Sequence, residues 1–327
     1  MQSVIREKLL SALSDSPDDF LSGQALADIA GCSRAAVWKH IEELRKEGFV
    51  LEAVRKKGYR IIGSPDSVTA NKLKIGLKTK TLGQNIHYEE TVGSTQKVAH
   101  ELAANGAPEG TLVIADEQTD GRGRLMREWH SSKGTGVWMS LILKPLLPPQ
   151  KAPQFTLIAA VAVVQAIQET TGLEPQIKWP NDILINGKKA TGILTELQAE
   201  PDKINSIIIG IGMNVNQTQE HFPDELQSIA TSYGMEAGRS LSRSDIVQKV
   251  LERMEALYEL YMAKGFTPIK LMWESYAVSI GRRITARTIN GSIEGYARGI
   301  TEEGVLQIED DTGKLHHIYS ADIELSR

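Results

Sequence analysis

Apolar residues at Ile5, Leu9 and Leu13 recur every four positions, which predicts an amphipathic helix over residues 2–14. Residues 14–19, Ser-Asp-Ser-Pro-Asp-Asp, break that pattern with turn formers. A short second helix follows over residues 24–30, with Ser22 as its N-cap and Gly31 as its stop. Ser33 caps a third helix with Val37, Ile41 and Leu44 on one face, and Gly48 ends it. Two β-leaning runs, 49–54 and 59–62, flank the basic turn Arg55-Lys56-Lys57-Gly58. Helix, helix–turn–helix and hairpin in that order predict a winged helix-turn-helix domain over residues 1–63. Residues 63–68, Gly-Ser-Pro-Asp-Ser-Val, read as a linker.

The middle of the chain, residues 69–277, mixes both periods. Strands are expected at 86–90, 111–115, 137–143, 177–179, 193–197 and 207–211, and helices at 94–105, 151–171 and 242–264. Strands and helices do not alternate strictly, so the fold class is α+β with a mixed, mostly antiparallel sheet. Residues 155–167 are apolar nearly all round, the mark of a helix buried on every side. Residues 278–327 change again, to short strands at 283–288, 291–300, 304–309 and 314–319 with turn signals at Asn290-Gly291 and Thr312-Gly313. A small C-terminal β-barrel is expected.

Composition sharpens this outline. The 327 residues are 41% hydrophobic and 24% charged, which excludes disorder as the main state. The longest unbroken apolar run, 157–164, is far too short for a bilayer, so no membrane partner is expected. Arg6, Glu7 and Lys8 stand where a signal peptide needs its apolar stretch, which points to a cytoplasmic protein. The single cysteine, Cys32, rules out an internal disulfide and a thiolate cluster, so no structural metal site is expected.

Net charge is −4, against a globally basic nucleic-acid binder, but the distribution is uneven. Residues 1–31 carry two basic against five acidic side chains, net −3, and residues 32–62 eight against four, net +4. Ser33, Arg34, Ala35, Trp38 and Lys39 fall at the start of the would-be recognition helix, and Arg55, Lys56 and Lys57 at the hairpin tip. Such a pair of elements suits a major groove and its flanking phosphates. A small helical domain with a solvated charged face, or one built for protein contacts, fits the same pattern.

Candidate chemistry concentrates in four loops. Gly121-Arg-Gly-Arg-Leu-Met-Arg-Glu-Trp129 is a cationic, mobile-looking segment whose arginine forks suit carboxylates and phosphates. It lacks the Gly-Lys-Ser/Thr of a P-loop. Lys178-Trp-Pro-Asn-Asp182 presents Asn181 and Asp182 at a strand end, where Asp182 could assist a metal–nucleotide complex. Gly187-Lys-Lys-Ala-Thr-Gly192 places Lys189 at the start of a strand. Gly210-Ile-Gly-Met-Asn-Val-Asn216 runs an apolar strand into small residues and amides, able to admit a planar ring against backbone. Each is also an ordinary surface loop or turn when taken alone.

In this order and spacing, the four segments and the winged domain resemble the bifunctional biotin–protein ligase and biotin-operon repressor family, over essentially the whole chain. The resemblance implies an SH3-like C-terminal barrel and an enzyme that makes biotinoyl-5′-AMP from biotin and ATP with Mg²⁺. That enzyme then transfers biotin to a lysine of the biotin carboxyl carrier protein of acetyl-CoA carboxylase. It holds no tight prosthetic group, and as a homodimer carrying the adenylate it represses biotin genes at operator DNA. By residue, it implies a biotin segment at Ser94, Thr95 and Gln96, the last replacing an Asn, and a biotin contact at Gln118. Arg122, Gly123 and Arg124 match the loop that closes over biotin and the adenylate phosphate. Lys189 matches the lysine bonding the carboxylate and the transferred phosphoryl oxygens. Trp129, Trp138, Gly192, Leu194 and Gly210 match pocket walls, and Asn214 the adenine-edge amide. Leu125-Met126 departs from relatives that continue with Arg-Gly.

Three other readings use the same residues. A lipoate–protein ligase shares the chemistry but carries a triple glycine that this sequence lacks. A ligand-sensing repressor without catalysis needs less phosphate chemistry than Arg122, Arg124 and Lys189 supply. A monofunctional ligase with a non-functional winged domain requires the basic segment to leave DNA unbound.

Overall fold

The computed structural model describes residues 2–16, 19–46, 48–63, 66–289 and 291–325. Pro17 and Asp18 of the expected turn, Ser64 and Pro65 of the expected linker, and Asn290 of the hairpin signal lie outside the described residues. The chain forms two compact units, Met1–Lys78 and Thr79–Arg327.

In the first unit, α1 (Gln2–Asp15), α2 (Gly23–Ala30) and α3 (Arg34–Lys46) precede a hairpin of β1 (Val50–Val54) and β2 (Gly58–Gly63) and a short α4 (Ala70–Lys74). Leu9, Leu10 and Leu13 pack with Leu26, Val37, Ile41 and Leu44, the stripes expected from the heptad-like spacing. Ser22 Oγ accepts a hydrogen bond from the Ala25 amide at 3.1 Å, and Gly31 is left-handed at φ 66°. The hairpin is tied back to the turn before α2: the Leu21 and Tyr59 amides each donate to the other's carbonyl at 2.9 Å. That approach requires Gly58, where a Cβ would lie 2.0 Å from the Leu21 carbonyl oxygen.

The second unit is built on a seven-stranded sheet. It runs through β3 (Ile86–Val92), α5 (Thr95–Ala104), β4 (Leu112–Gln118), β5 (Gly136–Leu143) and α6 (Ala152–Thr171). Then come β6 (Gln176–Lys178), β7 (Asp182–Ile185), β8 (Lys188–Ala199), β9 (Ile204–Asn214), α7 (Tyr233–Ala237), α8 (Arg243–Lys264) and α9 (Thr267–Tyr276). Strand order is β3-β4-β5-β9-β8-β7-β6, with β3 and β4 parallel and each other neighbouring pair antiparallel. The α+β expectation therefore holds.

The two faces of this sheet are used differently. α5 packs Ala99 on Val113, Ile142 and Ile208, covering one end of the first face. α6 lies behind the sheet, where Thr156 Oγ1 donates to Thr195 Oγ1 at 2.8 Å. It is buried along most of its length, from Phe155 to Ile167, beneath α8 and α9. Among the described residues no helix is long and apolar enough to cross a membrane.

β10 (Arg283–Thr288), β11 (Gly291–Ile300), β12 (Leu306–Glu309), β13 (Leu315–Ile318) and β14 (Asp322–Leu325) form an antiparallel sheet ordered β13-β12-β11-β10-β14, the small SH3-like barrel. It is seated on the central layer. Gln154 Nε2 donates to the Glu302 carbonyl at 2.6 Å, and the Ile300 amide to Glu274 Oε1 at 3.0 Å.

Several elements differ from the sequence reading. α4, α7, α9, β7 and β14 were not expected, and β8 and β9 are far longer than the apolar runs at 193–197 and 207–211. The added length is supplied by paired backbone: β8 and β9 hold register from Thr191↔Met213 to Gln198↔Ser206, then shift at a bulge to Ala199↔Ile204, carrying polar residues such as Gln198 and Ser206. Residues 178–182 are the turn of a β6–β7 hairpin, and Asp182 opens a strand.

Candidate functional site

On the open part of the first face half of the strand positions are glycine. Register places Trp138, Gly212 and Gly192 in one cross-strand row, and Ser140, Gly210 and Leu194 in the next. The three glycines leave a trough in the middle of the sheet, enlarged by surrounding loops to a cavity of about 560 Å³, a size suited to a small organic ligand. All of the residues singled out above for biotin, adenylate and Mg²⁺–nucleotide binding, from Ser94 to Asn214, line this cavity.

At one end, residues from α5 and β4 form a polar corner. Gln118 Oε1 accepts from the Thr95 amide at 2.9 Å and from Thr95 Oγ1 at 3.0 Å, while its Nε2 donates to Ser131 Oγ at 2.9 Å. Ser140 Oγ lies 2.9 Å from Thr95 Oγ1 and donates to Gln96 Oε1 at 2.9 Å. Gln96 Nε2 reaches the Ile208 carbonyl at 3.2 Å, and its Oε1 takes the space that a side chain on Gly210 would fill, so Gln96 lies on the pocket face of the sheet. Ser94, at the N-terminus of α5, is buried, and its side chain makes no capping bond. The corner thus offers hydroxyls and amide edges of fixed orientation, which can both give and take hydrogen bonds.

The opposite end is cationic. Lys189 Nζ pairs with Asp182 Oδ1 at 2.7 Å and sits 5.2 Å above the Trp129 ring. Its backbone is clamped by the 229–231 segment, with Lys189 N to Ile229 O at 2.8 Å and Thr231 N to Lys189 O at 2.9 Å. Arg122 approaches Glu196 at 3.6 Å, and its buried Nε has no partner among the described residues. Arg124 donates to Asn181 Oδ1 at 3.1 Å and to Ser320 Oγ at 3.0 Å. Burial pulls its guanidinium below the ordinary arginine value, and the charges of Asp182 and Asp322 partly oppose that shift. A desolvated guanidinium bonded only to neutral acceptors is suited to an anionic ligand. Asn181 Nδ2 is spent on the Ile193 carbonyl at 2.8 Å.

Trp129 lies flat over the glycine row: a Cβ on Gly192 would stand 2.9 Å, and on Gly212 2.5 Å, from its ring. Asn214 lines the cavity with its Nδ2 bonded to the Thr231 carbonyl at 3.1 Å and its Oδ1 accepting from Gln217. Lys178 lines the cavity, and its charge adds a little to the hydrogen bonds of Arg127 and Arg287 that hold Asp322 and Glu324, respectively, below the usual carboxylate range.

The 121–128 loop is tied down at several points in this structure. Arg127 Nη2 donates to Asp322 Oδ2 at 2.5 Å, and the Gly123 amide to the Arg127 carbonyl at 2.8 Å. Gly121 serves the loop's own packing, since a Cβ there would lie 2.5 Å from the Trp129 carbonyl oxygen. Ser131, Ser140, Arg127, Ser320 and Asp322 were not picked out from the sequence. Ser140 had a signal, a lone hydroxyl inside an apolar strand, whereas Asp322 lies on a strand that the periodicity did not reveal.

In the first unit, Ser33 Oγ caps α3 by accepting from the Ala36 amide at 3.2 Å. Arg34, Ala35, Trp38 and Lys39 are exposed on the helix start, opposite the buried Val37, His40, Ile41 and Leu44. Arg55, Lys56 and Lys57 are exposed at the hairpin tip, where Lys56 turns the chain at φ 68°.

A chain that joins a winged helix-turn-helix to a unit with a glycine-floored, cation-rimmed pocket and a small C-terminal barrel defines a protein ligase with a DNA-reading domain. The biotin/lipoate A/B protein ligase family matches residues 88–214, a helix-turn-helix domain matches 5–60, and the biotin protein ligase C-terminal domain matches 279–326. The chain belongs to the biotin–protein ligase family: it is 58% identical over 325 residues, 99% of its length and 100% of the relative's, to the bifunctional ligase/repressor BirA of Bacillus subtilis (strain 168). Identity to the bifunctional ligase/repressor BirA of Escherichia coli (strain K12) is 28% over 304 residues, covering 93% of this chain and 92% of that one. Among solved structures, the biotin protein ligase of Aquifex aeolicus in complex with biotin and ATP superposes with a TM-score of 0.65 at 32% identity, covering 75% of this chain and 99% of that one.

Proposed function

We infer that the protein is an ATP-dependent biotin–protein ligase that also represses transcription. The observation that carries this reading is the convergence of Arg122, Arg124 and Lys189 on one end of a glycine-floored cavity whose other end is a neutral hydrogen-bonding corner. Such a cavity suits a ligand with a polar uncharged head, an apolar body and an anionic tail. Biotin has that form.

In the first step a carboxylate oxygen of biotin attacks the α-phosphorus of ATP, the bond to the bridging oxygen breaks, and pyrophosphate leaves. Both reactants are anionic. Arg122, Arg124 and Lys189 reduce their repulsion and stabilise the charge on the phosphoryl oxygens. Mg²⁺ enters with ATP as part of that substrate and adds charge neutralisation. Asp182 supplies the kind of hard oxygen that it prefers, and exchanging Lys189 for the ion would free the lysine for the phosphate. Ser94, Thr95 and Gln118 orient the ureido head, Trp138 and Leu194 line the apolar body, and Trp129 excludes water from the mixed anhydride. Gln96 braces this corner through Ser140, Gly192 and Gly210 let Trp129 and Gln96 lie close on the sheet, and Gly123 keeps the loop backbone open to the ligand. Lys178, Asn181 and Asn214 belong to the nucleotide end.

In the second step a neutral carrier lysine attacks the acyl carbon. The amide forms, AMP leaves with the anhydride oxygen, and the amine loses a proton. The carrier is the biotin carboxyl carrier protein of acetyl-CoA carboxylase.

Repression assigns Ser33, Arg34, Ala35, Trp38 and Lys39 to the major groove and Arg55, Lys56 and Lys57 to flanking phosphates. Residues 1–63, 69–277 and 278–327 would then bind DNA, activate biotin and support the site, respectively. A homodimer, strengthened by the adenylate, matches a two-fold operator and makes effector and DNA binding reciprocal. Carrier and operator both place the work in the cytoplasm.

The test is mass spectrometry of purified protein with ATP, Mg²⁺ and either biotin or lipoate. Biotinoyl-AMP and pyrophosphate should form with biotin alone, and Lys189→Ala should slow formation by roughly 10²–10³-fold. Lipoyl-AMP alone, or no adenylate from either acid, would sink the ligase reading.

A further inference from the structure

The loop that carries Arg122 and Arg124 contains a strained pair. Leu125 and Met126 adopt left-handed φ of 55° and 59°, a region that side chains other than Gly, Asn and Asp rarely occupy. They gain no burial in exchange, being 75% and 74% exposed. Such a conformation persists only where its surroundings over-determine it. Two of its side-chain ties run to the C-terminal barrel: Arg124 Nη2 to Ser320 Oγ at 3.0 Å, and the Arg127 guanidinium to both oxygens of Asp322, at 2.5 and 3.4 Å. Residues 124 and 127 are thus anchored on either side of the strained tip, to positions two apart at the start of β14. Arg124 is the half-buried cation at the pocket, so whatever fixes the loop fixes that charge as well.

We propose that Asp322 is a positioning residue for adenylate retention: by gripping Arg127 it holds the loop in the conformation that points Arg124 at the phosphoryl end of the pocket. This rests on the ligase reading given above. Loss of the grip makes ligand binding carry the cost of ordering the loop, which weakens retention without altering the reacting groups. The pair is solvent-exposed on both sides, so the effect is modest, on the order of a few-fold.

The test uses the full chain in two assays. Limited trypsin digestion of the ligand-free protein reads nicking within residues 122–127, and dilution into excess unlabelled biotin reads release of preformed labelled biotinoyl-AMP. Asp322→Ala should raise both rates about threefold, Arg127→Ala should speed adenylate release equally, and the double variant should release it no faster than either. In steady state the change should appear in the KM for biotin rather than in kcat. Arg283→Ala, which breaks the exposed Arg283–Asp311 pair of the same barrel, serves as the control for general loosening and should match wild type in both assays. Wild-type rates in Asp322→Ala would overturn the proposal. So would faster nicking with unchanged release, which is the signature of a merely structural tie. If wild type forms no biotinoyl-AMP the ligase reading fails, and nicking still decides whether Asp322 orders the loop.

Discussion

A single methyl group at Gly210 tests how the floor of the pocket is made. Gly210 lies beside Gln96, whose carboxamide is 3% exposed and held by Ser140 Oγ at 2.9 Å and the Ile208 carbonyl at 3.2 Å. In Gly210→Ala the new Cβ would stand 2.6 Å from Gln96 Oε1 and 3.4 Å from the Leu194 carbonyl oxygen. The carboxamide has no route to water, so it must shift within the core. Overpacking of this kind costs about 1–3 kcal/mol, and a buried amide that loses a partner costs a similar amount. A total near 3 kcal/mol lowers the midpoint of the second unit by roughly 6–12 °C. Scanning calorimetry of the full chain reads that shift directly. The matching variant, Gln96→Ala in the Gly210→Ala background, removes the collision, and the pair should therefore be less destabilised than the sum of the singles. A Gly210→Ala midpoint within about 1 °C of wild type would refute the argument, because an unhindered Cβ means that Gln96 is not fixed over Gly210.

Two further outcomes follow from other parts of the molecule. Replacing Arg55, Lys56 and Lys57 together by alanine should weaken operator binding at low salt and flatten the salt dependence by up to about three units of slope. Biotinoyl-AMP formation should be untouched, and an unchanged salt slope would remove the hairpin from the DNA contact. Asp322 gives a pH signature. The hydrogen bond and charge of Arg127 hold its carboxyl below the usual range, so its stabilisation is complete above the ordinary carboxylate pKa, about 3.9, and fades as pH falls through the lowered native value. The stability difference between wild type and Asp322→Asn, less than about 1 kcal/mol for so exposed a pair, should be flat near neutrality and vanish in acid. A difference that grows in acid contradicts the assignment.

Much of this was legible in the sequence because local rules and the fold agree. Ser22 and Gly31 bound α2 as capping chemistry requires, and the nearly all-apolar 155–167 run is the buried α6. The four loops read from residue chemistry do converge on one cavity. What stayed hidden depends on pairing across the sheet. The burial of the polar position Ser206, opposite Gln198, follows from the β8–β9 partnership, which no window of sequence contains. Gln96 does line the cavity, but that its carboxamide fills the space over Gly210 depends on the packing of α5 on β9, which lies far off in sequence. The tie between Arg127 and Asp322 spans 195 residues of chain and ends on a strand too short to announce itself.

The Trp129 indole lies over Gly192 and Gly212 with a lysine ammonium 5.2 Å from its ring, and its buried Nε1 has no partner among the described residues. It is therefore a spectroscopic probe already built into the pocket. A ligand entering the trough must alter the dielectric around that ring and the distance of the charge above it, so occupancy is written into emission wavelength and intensity. Trp273, fully buried and outside the cavity lining, supplies a steady background against which that change is read, while Trp138 and Trp179 line the same cavity and are separated from it by the blank. With Trp129→Phe as the blank, pocket filling can be timed by stopped flow without attaching a dye.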